Sequence, residues 1–277
     1  DMDYMCELTG KTEEEIFADL KGVIFLNPMY GYGNSTQAKY LMADEYLSGN
    51  VREKLAFASR SAQLYPDDYT VNVEALKRVQ PKDLTASEIA VRLGATWLPT
   101  EIVEQFMFEF LGTPRYAQWN IKVHFSAYTG EWNIEGKSYD RSNVKAYSTY
   151  GTGRINAYKI IEETLNLKDV RIFDYVEDAD GKKKAILNKK ETAIAQAKQE
   201  LIKQGFQDWV WSDPERRERL CILYNEKFNS LRPREYDGSH IVFSGMNPEI
   251  ELREHQRNAV AHILYGGNTL LAHAVGA

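Results

Sequence analysis

The hydrophobic spacing of this chain changes period partway along, and that change limits its fold more than any other feature. Ile102, Val103, Phe106, Met107 and Phe110 recur every three or four positions, which places them on one face of a helix. Beyond Pro114 the pattern becomes Trp119, Ile121, Val123 and Phe125 alternating with polar residues, the two-residue period of a half-buried strand. Trp132 and Ile134, closed by Gly136, predict a hairpin mate across Thr129-Gly130. Two periods over so short a distance predict an α+β fold.

Local signals extend this reading in both directions. Met2, Met5 and Leu8 mark a short helix that Gly10 closes. Thr12 with Glu15 forms a capping box for a second helix, whose apolar face is Ile16, Phe17 and Leu20. Val23 to Leu26 and Lys39 to Met42 read as two strands joined by the turn that Asn27-Pro28 opens. Helix, turn, helix and hairpin is the order of a winged helix. Helices are expected over Val51 to Leu64 and Tyr69 to Val79. A further capping box, Thr85 with Glu88, leads into an expected helix carrying Ile89, Val91 and Leu93 that Gly94 stops. Ile155 to Leu165 reads as helix, and Val170 to Val176 with Ala185 to Leu187 as strands. Ile194, Ala197, Leu201 and Ile202 mark a helix that Gly205 ends. Asp213-Pro214 begins another, with Leu220, Leu223, Tyr224 and Phe228 as its stripe. A final helix spans Glu254 to Tyr265. The expected organisation is a helical, winged-helix-like part over 1–80, an α+β unit over 81–188 and a helical segment over 189–277.

Composition removes several function classes. Of 277 residues, 43% are hydrophobic and 27% charged, which is the texture of a globular chain and not of a collagen-like, disordered or coiled-coil one. No apolar run approaches the roughly 20 residues of a membrane helix, so no membrane role is expected. A net charge of -6 argues against a surface basic all over, while leaving room for a local basic face. Cys6 and Cys221 are too far apart for a disulfide framework or a zinc site, which fits a reducing cytoplasm. Cys221, beside Leu220 and Ile222, is expected as a core thiol. The histidines lack metal-ligand spacing, and neither His124 nor His240 has a linked nucleophile, so no metal and no catalytic residue is expected.

The end of the chain carries the sharpest motif. Leu252-Arg253-Glu254-His255-Gln256-Arg257-Asn258-Ala259-Val260, followed by Gly266-Gly267, the strand-like run Asn268 to Ala274 and Val275-Gly276-Ala277, resembles the start of a superfamily 2 helicase or translocase core. In that family an LRxHQxxAV helix sets a glutamine on the adenine of ATP, and an apolar strand feeds a GxGK phosphate loop. The resemblance gives Gln256 and Gly276 those places. The sequence stops before any loop lysine, and no GxxxxGK with a following Ser or Thr occurs anywhere in it. Tyr236 to Ile241, Tyr46 to Leu55 and Arg92 to Pro99 together look like the large helicase–methylase proteins of phages and of integrative and conjugative elements in Gram-positive bacteria. That resemblance implies a piece of a longer polypeptide, with ATP and Mg²⁺, and S-adenosylmethionine, used by the parent and no cofactor in this segment. It also implies DNA and the rest of the parent as partners, in DNA modification or antirestriction. Asn27-Pro28-Met29-Tyr30 approaches the Asp/Asn/Ser-Pro-Pro-aromatic signature of adenine methylases, but Met29 departs from it and no Gly-rich loop precedes it; a hairpin turn is the favoured reading.

Charge supplies the remaining candidates. The second helix of the winged element carries Glu13, Glu14, Glu15 and Asp19, which repel phosphates, so that helix is expected to face protein or solvent. Arg141, Lys145 and Arg154 lie among Tyr147 and Tyr150, an interleaving that suits nucleic acid, where stacking is worth ~1–3 kcal/mol per base. Lys182, Lys183 and Lys184 form a second basic cluster. A solvated charged face is the competing account of both. Three functions follow: a DNA-engaging accessory region upstream of a motor core, a protein-interaction or spacer module between methylase and motor, and, last, a remnant methylase.

Overall fold

The computed structural model describes residues 2–31, 37–177, 183–247 and 249–273. They form two compact units: residues 1–83 together with 226–277, and residues 84–225. The first unit opens with α1 (Met2–Thr9) and α2 (Glu13–Asp19), then the antiparallel hairpin β1 (Ile24–Leu26) and β2 (Tyr40–Met42), with Phe25 opposite Leu41. The capping box forms: the Thr12 N–H donates to the Glu15 carboxylate at 2.9 Å, and the Glu15 N–H donates to the Thr12 hydroxyl at 3.3 Å. Ile16 is buried, and the Phe17 ring lies 5.3 Å from that of Tyr40. A short α3 (Ala43–Tyr46) follows, then α4 (Val51–Leu64), which packs on α5 (Pro66–Arg78). Their core is Phe25 stacked on Tyr46, with Val51, Ala58 and Leu76. Lys54 closes the end of α3 by donating to the carbonyls of Glu45, Tyr46 and Ser48 at 3.1, 2.9 and 2.8 Å.

The second unit begins with a correction. The Thr85–Glu88 cap is made, with the Thr85 N–H donating to Glu88 at 2.9 Å, but no helix follows it. Ile89, Val91 and Leu93 are buried while Ala90 and Arg92 are exposed, so the segment is extended and its apolar period is two. Next come α6 (Thr100–Leu111), capped by a left-handed Gly112, and the short α7 (Arg115–Gln118). The expected hairpin forms from β4 (Lys122–Ser126) and β5 (Glu131–Glu135), with Val123 opposite Ile134 and Phe125 opposite Trp132, so that the turn is centred on Tyr128-Thr129, one residue before Thr129-Gly130. Trp119 precedes the strand and is 80% exposed. Isolated two-stranded sheets are marginal, and exposed edges are a liability. Here helical side chains cover both edges: Glu104 of α6 accepts the Val123 N–H, and Glu162 of α8 (Ala157–Leu165) accepts that of Ile134. A single π-helical turn, Lys145–Thr149, links the sheet to α8.

A second hairpin, β6 (Phe173–Glu177) with β7 (Lys183–Leu187), leads into α9 (Lys189–Val210). Here the structure departs again from expectation. Gly205 does not end α9. A Cβ at that position would come within 2.2 Å of the Phe110 ring, so the glycine admits a neighbouring aromatic. The buried face of α9 is Thr192, Ala195, Gln199, Ile202, Phe206 and Val210, while Ile194 and Leu201 are exposed. The core of the unit gathers α6, α8, α9 and the first hairpin around Phe106, whose ring meets Phe206 edge-on at 5.1 Å. α10 (Pro214–Phe228) buries Leu220, leaves Phe228 exposed and keeps Cys221 half-buried, not in the core. Residues 189–225, read from sequence with the end of the chain, thus pack with residues 84–188.

The chain then rejoins the first unit. β8 (Leu231–Arg232) pairs antiparallel with β3 (Gly49–Asn50). The final helix, α11 (Glu254–Gly266), packs against the preceding loop, where Tyr236 stacks on His262 at 4.3 Å. Gly238 lies so close to the α11 backbone that a Cβ would come within 2.1 Å of the Arg257 carbonyl. Asn268 to His273 form no strand, contrary to the sequence reading.

Candidate nucleic-acid interface

Arg141 stands in the turn before the π-helical turn of the second unit, and Lys145 opens that π-helical turn. Asp140 is buried and accepts from the Tyr158 hydroxyl and the Asn143 amide, each at 2.6 Å. The Asn143 amide also donates to the Leu111 carbonyl at 3.0 Å, and its oxygen accepts the Ala146 N–H at 3.1 Å. Burial and the neighbouring Asp140 push the Tyr158 hydroxyl far up, so it stays a proton donor. Arg141 and Lys145 project from this anchored segment, exposed and without an ion pair among the described residues.

The aromatic half of this candidate is placed differently. Tyr150 packs its ring against Phe110 at 4.3 Å, and the Tyr147 hydroxyl accepts from the Asn156 amide at 3.3 Å. Both are half-buried against the core, where interleaving had implied rings standing among the cations. Arg154 is likewise occupied: it pairs with Asp174 at 2.9 Å and donates to the Phe173 carbonyl at 2.9 Å, tying down the base of the second hairpin. Lys183 and Lys184 are exposed on β7, opposite Glu177 and Val176. Lys182 lies outside the described residues.

Sequence reasoning missed a cluster at the end of α8. There Leu167 has φ 59, the left-handed conformation, and is 60% exposed. Its N–H donates to the Thr164 carbonyl, and the Lys168 N–H to that of Glu163, the helix-closing geometry usually given to glycine. Holding a leucine there costs roughly 1–2 kcal/mol. Two hollows of about 610 and 340 Å³ flank this point and share Leu167, Lys168 and Asp169. Arg171 lines the larger and Arg92 the smaller. Arg92, Lys168 and Arg171 are scattered single cations in sequence; only the packing of Gly94 against the Leu165 carbonyl brings Arg92 to the others.

In the first unit, Gln256 accepts the Arg253 N–H at 2.9 Å and so caps α11. Gly276 lies outside the described residues. Asn27 is buried, its amide donates to Gln37 and to the Ala38 carbonyl, and its oxygen accepts the Met29 N–H at 3.0 Å. That is a turn device and leaves no free amide edge for a target base. Among the described residues no group of His, Cys, Asp and Glu could hold a metal, and no helix is long and apolar enough to cross a membrane.

Two family models match. Residues 1–34, which hold α1, α2 and the first strand of the hairpin, match the one described as "Probable helicase, winged helix domain", so this segment is similar to a helicase-associated winged helix. The chain belongs to the family described as "Domain of unknown function (DUF8437)", whose model matches residues 92–230, half of the sequence and nearly the whole second unit. No curated protein and no solved structure matches it.

Proposed function

We propose that this chain is a DNA-engaging accessory region of an ATP-dependent helicase or translocase. The observation that carries the reading is the helix–turn–helix–hairpin at the start of the chain, whose two helices and first strand lie within the helicase winged-helix match. The motor on this reading is of superfamily 2, in a helicase–methylase of a phage or conjugative element. ATP, Mg²⁺ and S-adenosylmethionine then serve other parts of the parent polypeptide, and Gln256 and Gly276 belong to the edge of its nucleotide site. DNA contact comes from local basic surface of the second unit, with Arg141 and Lys145 as the first candidates and Lys182, Lys183 and Lys184 as further ones. Acidic α2 does not suit a major groove: Glu13 is paired with Lys39, while Glu14 and Glu15 remain exposed. That face favours the second reading for the winged element, a surface for another protein domain or for the parent itself.

Fluorescence anisotropy with single- and double-stranded oligonucleotides at two salt concentrations tests this. Binding that weakens with a log–log slope of about -0.9 per phosphate on duplex is expected. The Arg141→Glu/Lys145→Glu variant should keep its fold and bind more weakly. Absence of any salt-sensitive binding at low ionic strength would leave the interaction-module reading in its place.

A further inference from the structure

The geometry at the end of α8 points to a wedge. We infer that Leu167 inserts between base steps of duplex DNA from the minor groove, while Lys168, Arg171 and Arg92 hold the flanking phosphates. This rests on the DNA-engaging reading above and adds a site and a mode of contact to it.

Three observations and one general feature of DNA-bending wedges converge on this point. Leu167 is an exposed apolar side chain at a helix-closing position where glycine would sit without strain. The fold therefore tolerates a cost there for a side chain that it leaves largely in solvent. The loop behind it is pinned, so the leucine cannot turn inward. The Gln199 side chain accepts the Val170 N–H at 3.1 Å and donates to the Lys168 carbonyl at 2.8 Å. Thr192 accepts the Ile172 N–H at 3.0 Å, and Asn166 is bonded to Trp132. The charge is suited to phosphates: Arg92, Lys168 and Arg171 are exposed and carry no ion pair among the described residues. Lys159 and Lys203, which line the same hollows, are paired with glutamates, and Glu163 and Asp169 are the acidic groups present. Finally, an apolar tip flanked by cations is the arrangement that unstacks a base step and bends the duplex. A single strand offers no such step to open, so the occupant is duplex.

The test uses the full chain and a duplex carrying a donor and an acceptor dye at its ends, with anisotropy for affinity and energy transfer for bending. The unmodified chain should bend the duplex. Leu167→Gly should raise the melting temperature by about 2–4 °C, because glycine fits the left-handed position, and yet lose the bend and roughly tenfold in duplex affinity. Lys168→Glu/Arg171→Glu should reduce the salt slope by about two phosphates' worth. A Leu167→Gly protein that is more stable but bends and binds as before overturns the wedge. Loss of binding in Arg141→Glu/Lys145→Glu with no change in either of these variants overturns the site while the DNA reading stands. Absence of duplex binding by the unmodified chain, or binding of poly-glutamate through Lys168 and Arg171 instead, overturns both.

Discussion

The side-chain amide of Asn166 pairs with both backbone polar groups of Trp132. The Trp132 N–H donates to Asn166 Oδ1 at 2.9 Å, and Asn166 Nδ2 donates to the Trp132 carbonyl at 2.8 Å. One residue beyond the end of α8 thus supplies the hydrogen bonds that a third strand would give β5. Asn166→Ala should leave both groups unpaired and lower stability by about 2–3 kcal/mol. Asn166→Asp keeps the acceptor alone and should fall between. Thermal unfolding followed by circular dichroism checks the order, and an alanine variant as stable as the parent chain would show that water replaces the pair.

Gly205 and Phe110 give a test of the second unit's core. The Phe110 ring is held between Phe106 at 5.1 Å and Tyr150 at 4.3 Å, so it has little room to give way. Gly205→Ala should therefore destabilise by about 1–3 kcal/mol despite the better helix propensity of alanine. In a Phe110→Ala background the same change should become stabilising, by roughly 0.5–1 kcal/mol. A denaturant double-mutant cycle with no sign reversal would refute the steric account.

Glu162 links this unit to pH. Burial pushes its carboxyl up, but Lys137, Lys159 and the Ile134 N–H together outweigh burial and hold it below the usual range. A depressed folded value contributes stability above the unfolded value, about 4.3, and that contribution is lost as pH falls through the folded one. Stability should be level from pH 7 to about 5 and then decline. Glu162→Gln should lower it by about 1–3 kcal/mol at pH 7 and flatten the acid limb. Urea midpoints across this range measure both, and an unchanged acid limb in the variant would assign the decline to other carboxylates.

Nucleotide binding tests the placement of Gln256. With its oxygen bonded to the Arg253 N–H, and no lysine-bearing phosphate loop in the sequence, the chain should bind ATP no tighter than about 1 mM, or ~4 kcal/mol. Isothermal calorimetry giving a micromolar constant would mean that the nucleotide site lies elsewhere.

Local signals determined a good part of this fold. The capping box of Thr12, the span of α4, the helix of Ile102 to Phe110 and the two strands carrying Val123 and Ile134 all rest on interactions among near neighbours, and each is found where the spacing placed it. The misreadings share one cause. Whether Ile89, Val91 and Leu93 wind into a helix, whether Gly205 stops one, and whether Tyr147 and Tyr150 face solvent are settled by what lies opposite them in space. The same holds for the candidate interface. The sequence marks Arg141 and Lys145 as cations, and only the packing shows them exposed and without an ion pair among the described residues while Arg154 is paired with Asp174. Leu167 looks ordinary in the sequence, because backbone conformation is not written in residue type; the closing turn of α8 and the anchoring of the next loop by Gln199 decide that it stands exposed between Lys168 and its neighbours.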